Sequence, residues 1–550
     1  MARSIIDPIT RIEGHLRAEM EVTDGVVTDA WVSGGCFRGM ELVVRDRTPE
    51  DAAFIVQRIC GVCPVSHMHA SSIAAEKAYG ISIPNNARII RNLIEGSQFL
   101  HSHILWFYNL AGLDYVNPLN ALSADPVAAY DLATELGTPS ADFVGLQDRL
   151  KKFAENGQLS IFSGNWFDTG EYNLTPEADL ILTAHYLEAL QMQAKASEIA
   201  GLLGGKMPHI MTIIPGGTAF VPTAEKLDDL KGLVDELYTW VANTMIPDTL
   251  AVAKFYPEAT TFGKGCGRYG AWGVFERPSM EMNDRYLPAG VLDDQLNLSD
   301  VDESKITEYV GHSWYEGDAD LPPFEQGVKP AFTEYNVDDR YTWNKCPRYD
   351  GKPLETGGFA RLLVAYKRNV PFVVEHIDSM LVALGAQKGD LSALQNTLGR
   401  TGARQIETLY VATLMKEWVN ELCEAVQGGD SSYFESPSRI DGEGTGFWEA
   451  PRGALYHTET IAGCYVKDGK ITDYQIIIPS TWNLAPHDPD GNYGPMEQAL
   501  IGVPVADIEK PINALRTVHS FDPCTACAVH IVEPKTGKSF ETVTSPWGVK

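Results

Sequence analysis

Nowhere along the 550 residues do apolar side chains run on for the ~18–20 positions that a bilayer-spanning helix needs. The opening "MARSIIDPITRIEGH" has no apolar stretch of the signal-peptide kind, so a leader of its own is not expected. Positive charge is also scarce: 44 Lys and Arg stand against 73 Asp and Glu, a formal net charge of −29. Nucleic acid and anionic membranes reward Lys/Arg patches, so no nucleic-acid partner is expected and membrane association would be indirect. Nine cysteines in a chain this long cannot build a disulfide scaffold, and an odd number leaves at least one outside any such scheme. Tandem repeats and Gly/Ser-rich or Pro-rich linkers are missing too, which favours one compact unit over a string of domains. With 44% hydrophobic and 21% charged residues, the chain can bury a sizeable core.

Residues 15–36 alternate apolar and polar side chains around Asp24-Gly25, and residues 453–480 do so around Asp468-Gly469, both hairpin signatures. Their places near opposite ends of the chain suggest that the ends meet in one small sheet. Between them the pattern is helical. Thr175-Pro176 is an N-cap followed by proline at the first helical position. Thr223 opens a second helix, with Leu227, Leu230, Val234, Leu237 and Val241 on one face, which Pro247 is expected to stop. Further helices are expected over 86–111 and 400–427. The expected fold class is α+β, predominantly helical: a long-helix bundle core with a small sheet formed from the N- and C-terminal hairpins. Within one unit spanning 1–550, residues 1–65 carry the first hairpin and 66–277 and 355–430 the helical core. Residues 278–350 read as an irregular insertion, 440–530 as the C-terminal sheet and 531–550 as an extension.

Cys36, Cys266, Cys346, Cys423 and Cys464 are scattered singly and read as ordinary small buried residues. The other four form "RICGVCPVSH" (58–67) and "DPCTACAVH" (522–530), each a Cys-x-x-Cys followed closely by histidine. On a helix, Cys60 and Cys63 share a face with His67 following one turn on; in an extended turn the same spacing lets two sulfurs chelate a metal. Cys524, Cys527 and His530 repeat the arrangement. Four thiolates brought together suit zinc, an iron cluster or nickel. A structural zinc site is the plain alternative, although zinc ribbons usually set their pairs tens of residues apart and here hundreds intervene. A dithiol redox pair would need a strand-then-helix context that neither motif has.

"RIEGHLR" (11–17), "RICGVCPVSH", "EAPRGALYH" (449–457), "PSTWN" (479–483) and "DPCTACAVH" occur in that order, and together they resemble the large subunit of nickel–iron hydrogenases. The resemblance runs from the first hairpin to the last residues. It implies an enzyme, the catalytic subunit of a hydrogenase that cleaves H2 reversibly to protons and electrons, working in the direction of H2 uptake. Cys60 and Cys524 would be terminal nickel ligands, and Cys63 and Cys527 would bridge nickel to iron, which in the family also carries carbon monoxide and cyanide. Pro451 and Arg452 would wall the open face of the metals, Ser480 would donate to a cyanide nitrogen, and His67 would hydrogen-bond a ligating sulfur. Heterolysis of H2 requires a basic atom for the proton: Cys524 would take it first and Glu13 pass it on. A free guanidinium stays protonated, so Arg452 is expected to act through charge and orientation, with Asp522 available as its acidic partner. Glu41 of "FRGMEL", the main-chain carbonyl near Ile476 and His530 match a magnesium site, with water in the remaining positions. One departure stands out: between His101 and His103 this chain has Ser102, where some members of the family carry an aspartate near the arginine.

Five single cysteines cannot hold the three iron–sulfur clusters of an electron wire, so an iron–sulfur small subunit is expected as partner, with His209 and "GGCFRG" (34–39) toward the interface. By composition residues 531–550 read as a terminal strand. By resemblance they are a precursor tail, cut after His530 by a maturation endopeptidase once nickel-insertion proteins have loaded the site. The resemblance also suggests a periplasmic enzyme, or one at the periplasmic face of the membrane, exported with its small subunit; the alternative is cytoplasmic. A scaffold subunit related to the quinone module of respiratory complexes is a different possibility, but that relative loses the metal cysteines and this chain keeps all four.

Overall fold

The computed structural model describes residues 2–159, 162, 165–437, 441–462 and 469–525. At the N-terminus, β1 (Ala2–Ile6), β2 (Leu16–Thr23) and β3 (Val26–Gly34) form an antiparallel sheet in chain order. The β2–β3 turn uses Asp24 at φ 53° and Gly25 at φ 76°, the left-handed pair that a two-residue hairpin requires. Near the other end, β4 (Gly442–Ala450), β5 (Gly453–Ala462) and β6 (Lys470–Ile477) form a second antiparallel sheet. Asp468 of the second turn lies outside the described residues.

The single shared sheet expected from the two hairpins is therefore corrected: each hairpin has its own third strand. The physical reason lies at the edges. Beside β3 runs a loop, in which the Val27 N–H donates to the Val503 carbonyl at 3.0 Å and the Gly502 N–H returns to the Val27 carbonyl at 2.9 Å. The second sheet is instead covered by α3 (Pro64–Tyr79). Gly444 and Gly446 make that packing close, because a Cβ at either would collide with the carbonyl oxygens of Ala74 or Ala70 on the helix.

Four long helices supply most of the remaining core: α4 (Asn85–Ile104), α5 (Pro176–Gly204), α6 (Ala224–Trp240) and α7 (Thr397–Gln427). α4 packs on α5 and α7, and α6 on α5 and α7. Thr175 caps α5 by accepting the Ala178 N–H at 3.3 Å, and Gly205 at φ 84° ends it. Thr223 caps α6 in the same way. Pro247 does not stop the helical run. After α6 the chain widens into a π-type turn at Val241–Met245, and a new helix, Ile246–Phe255, takes Pro247 into its first turn, where the missing N–H is not needed. The expected 86–111 helix likewise passes from α4 into a π-type turn at Leu105–Leu110. Leu93, Phe99, Met415 and Trp418 are fully buried between α4 and α7, each worth about 2 kcal/mol of apolar burial. No helix among the described residues is long and apolar enough to cross a membrane. The main core cluster also contains Cys60, Cys63 and Cys524.

Candidate metal centre

The front cysteine pair is shaped locally. After α2 (Pro49–Val56) and a 3-10 turn, the chain straightens at Cys60 (φ −143°, ψ 137°), and Cys63 becomes the N-cap of α3 with Pro64 behind it. The pair thus sits in a turn, not along a helix. The Val62 and Cys63 N–H groups donate to Cys60 Sγ at 3.2 and 3.3 Å, which favours a thiolate there.

Cys524 of the back pair is positioned by distant chain. A helix, α8 (Ile512–Ser520), ends at Phe521, and Asp522 at φ 52° redirects the backbone. Cys524 then forms a parallel bridge with Glu13, and the Thr525 N–H donates to the Glu13 carbonyl at 2.7 Å. Cys524 Sγ comes to 3.3 Å from Cys60 Sγ, and the ligand atoms of Cys60, Cys63 and Cys524 all lie within 4.8 Å of one another, buried. Cys527, His530 and residues 531–550 lie outside the described residues. Three buried sulfurs at this spacing fit a soft or borderline metal.

Polar groups from distant parts of the chain surround these sulfurs. Glu13 Oε2 lies 3.2 Å from Cys524 Sγ, and the Cys524 N–H donates to Ser480 Oγ at 3.0 Å. Arg452 is buried, pairs with Asp522 at 3.0 Å and donates to Ser102 Oγ at 3.2 Å. Burial opposes the Arg452 charge, but Asp522 followed by Cys524, Cys63 and Cys60 outweighs it and raises the pKa well above the ordinary value. The guanidinium is a fixed positive charge. The Pro451 carbonyl accepts from Arg361 at 2.8 Å, while Arg361 is itself anchored to Glu407 and Glu449.

His67 is buried, and its pKa falls to about 4 because burial outweighs the opposing charge of Cys60. Its Nδ1 lies 3.2 Å from His457 Nε2. Glu41, on α1 (Met40–Val43), packs toward β6, the strand that carries Ile476. Burial raises the Glu41 carboxyl, partly offset by Lys345. Residues 34–39 lie beside the front pair, with Arg38 donating to the Ile59 carbonyl at 3.2 Å. His209 is half-buried and feels the charges of Arg58 and Cys60.

Two groups here were not singled out from sequence. Asp114 pairs with Arg11 of the "RIEGH" loop and with His519 of α8, clamping the loop that bears Glu13 to the helix that leads to Cys524. Burial raises the Asp114 carboxyl, but Arg11 and His519 hold it down at about 2. His457 stands within "EAPRGALYH", yet no local spacing relates it to His67; only the packing of β5 on α3 does.

A family model described as nickel-dependent hydrogenase matches residues 38–530. The hydrogenase-2 large chain of Escherichia coli K12 is 39% identical, over 96% of this chain and 97% of its own length. An uptake hydrogenase large subunit from Afipia carboxidovorans is 35% identical, over 98% and 97%. The reduced Ni-Fe-Se hydrogenase of D. vulgaris Hildenborough superimposes with a TM-score of 0.79 at 33% identity, over 96% of this chain and 100% of that one.

Proposed function

The chain belongs to the nickel-dependent hydrogenase family and is the catalytic large subunit of a hydrogenase, an oxidoreductase acting on H2 at a Ni–Fe centre with a small-subunit partner; on that premise we propose how its residues divide the work. The observation that carries the proposal is the cluster of three buried cysteine sulfurs with a carboxylate oxygen 3.2 Å from one of them. The donor set fits the group: sulfur ligands drawn from both ends of the chain, out of water, with one buried guanidinium beside them. When bound, the centre supplies the redox and Lewis-acid chemistry that splits H2 into two protons and two electrons.

Cys60, Cys63 and Cys524, with Cys527, would hold the metals, Cys60 and Cys524 serving nickel and Cys63 and Cys527 serving both nickel and iron. Cys524 Sγ accepts a proton, and Glu13 takes it as the S–H bond breaks and the carboxyl O–H forms. Arg452 holds a positive charge over the site, oriented by Asp522 and Ser102, so the missing aspartate at position 102 leaves it one carboxylate partner, not none. Ser480 accepts the Cys524 N–H and keeps its own proton, which it would offer to a cyanide ligand of iron, and Pro451 would wall the pocket for the carbon monoxide and cyanide. His67 is a neutral hydrogen-bonding neighbour of the sulfurs. Glu41, the Ile476 carbonyl and His530 would hold Mg2+.

The small subunit carries the iron–sulfur clusters and docks near residues 34–39 and His209. Residues 531–550 are a maturation tail, removed after His530 by an endopeptidase once nickel-insertion proteins have done their work; the family match ends at that histidine. The heterodimer works in the periplasm or at the periplasmic face of the membrane. Elemental analysis of the purified heterodimer tests the assignment: about one nickel per large subunit is expected, and zinc without nickel would sink it.

A further inference from the structure

Pro451 and Arg452 are the two turn residues between β4 and β5, with Ala450 and Gly453 paired across the base. The turn rests on the start of the helix Gly358–Lys367: a Cβ on Gly453 would lie 2.6 Å from the Gly357 nitrogen, and one on Gly357 would lie 3.2 Å from the Arg452 carbonyl oxygen. In the first turn of that helix Arg361 is fully buried, and every N–H of its guanidinium is used. Nε donates to Glu407 Oε1 at 2.6 Å. Nη1 donates to Glu449 Oε2 at 2.6 Å and to the Ala450 carbonyl at 2.9 Å, and Nη2 to Glu407 Oε2 at 2.7 Å and to the Pro451 carbonyl at 2.8 Å. Glu407, on α7, also meets His103 Nε2 at 2.9 Å. His103 follows Ser102 on α4, and the Ser102 hydroxyl accepts from Arg452.

Charge balance alone does not call for this arrangement. One carboxylate neutralises a buried guanidinium, and well-packed apolar side chains in place of a buried ion pair are often no less stable. What the arrangement adds is geometry. The planar fork ties the carbonyls that lead into Pro451 and into Arg452 to two buried carboxylates. Through His103, the same Glu407 reaches the turn of α4 that bears Ser102. Both ends of Arg452, its backbone and its guanidinium, are thus referred to one rigid group.

We propose that Arg361 is a positioning residue of the H2-splitting site: it holds the Pro451–Arg452 turn by its backbone and, through Glu407 and His103, the Ser102 hydroxyl that orients the Arg452 guanidinium. The proposal rests on the placing of Arg452 at that site. No proton or electron passes through Arg361. Its part is to keep the Arg452 charge in one place beside the sulfurs, because an electrostatic contribution to catalysis depends on the charge being fixed beforehand. Arg361→Lys keeps the positive charge but offers three donors without a planar fork, so it cannot hold both carbonyls and both carboxylates at once.

The test compares Arg361→Lys, Arg452→Lys and the double variant in the complete heterodimer. It reads nickel content, kcat and KM for H2 with an artificial acceptor, and the infrared stretching bands of the carbon monoxide and cyanide expected on iron. Arg361→Lys should keep its nickel and its KM, lose about tenfold in kcat and shift the infrared bands in the same direction as Arg452→Lys. The double variant should be no slower than Arg452→Lys, because losses that pass through one residue do not add. Unchanged kcat, unchanged bands, or a double variant in which the two losses multiply overturns the role of Arg361 and leaves the hydrogenase assignment standing. If Arg361→Lys loses nickel, Glu407→Gln, alone and with Arg452→Lys, decides by the same criteria, and loss of nickel there too overturns the role. Wild-type heterodimer lacking nickel and H2 oxidation would overturn the assignment itself.

Discussion

The two cysteine pairs share a spacing, but Cys524 of the back pair is held in a different way from the front pair. Around Cys60 and Cys63 nearly everything is local: a 3-10 turn, an N-cap, a proline opening α3, and two backbone N–H groups aimed at Cys60 Sγ. Around Cys524 almost every support comes from far along the chain: the Glu13 backbone and carboxylate, the Ser480 hydroxyl, and Arg452 on Asp522. The front pair can form as soon as α3 folds, because its hydrogen bonds close short loops. Cys524 reaches its place only when both ends of the chain have arrived. That difference makes the front half a platform and the back half a latch, and suits a site that is loaded with metal before it is shut.

Replacing Cys524 with serine strikes the latch hardest. Nickel content and H2 oxidation should fall to background, yet hydrogen exchange at the Val62 and Cys63 amides should stay slow, since their acceptor is untouched. Fast exchange there would show that the platform depends on the latch after all.

A smaller effect, on stability, is expected at Asp114, which fastens the "RIEGH" loop to α8. Asp114→Asn leaves Arg11 without its counter-charge and should cost about 3 kcal/mol, read as a lower unfolding midpoint of the heterodimer near neutral pH. The pH dependence has a definite sign. The folded pKa of about 2 lies below the unfolded value of about 3.9, so the contribution is full above pH ~4 and is lost as pH falls through about 2. The variant should lack that acid-side loss; an identical acid profile would remove Asp114 from the clamp.

How much of this was legible in sequence follows the same division. The caps at Thr175 and Thr223, the Asp24-Gly25 hairpin and the front knuckle are set by neighbours a few residues apart, so periodicity and turn chemistry reach them. The two-sheet arrangement was not legible, because what occupies the edge of β3 is a loop near Val503, remote in sequence and without strand character. Pro247 misled because a proline is equally at home in the first turn of the next helix, and a π-type turn carries no sequence sign of its own. At the site, Cys60, Cys63, Cys524 and Glu13 were found through motifs, whereas Asp114 and His457 are ordinary residues until packing brings them together.

The smallest predicted effect probes the latch without touching metal or proton chemistry directly. Ser480→Ala removes the acceptor of the buried Cys524 N–H. An unsatisfied buried N–H costs about 1–2 kcal/mol, but the Glu13 bridge and the Arg452–Asp522 pair remain. Purified variant should therefore carry nearly normal nickel and release it to a chelator roughly tenfold faster, since 1.4 kcal/mol is a factor of ten. No matching variant exists at the front, where the acceptor for the two amides is the ligand sulfur itself. If Ser480→Ala proved as damaging as Cys524→Ser, a single hydrogen bond would be holding the back pair, and its dispersed long-range support would be an incorrect description; release at the wild-type rate would mean that Ser480 supports nothing.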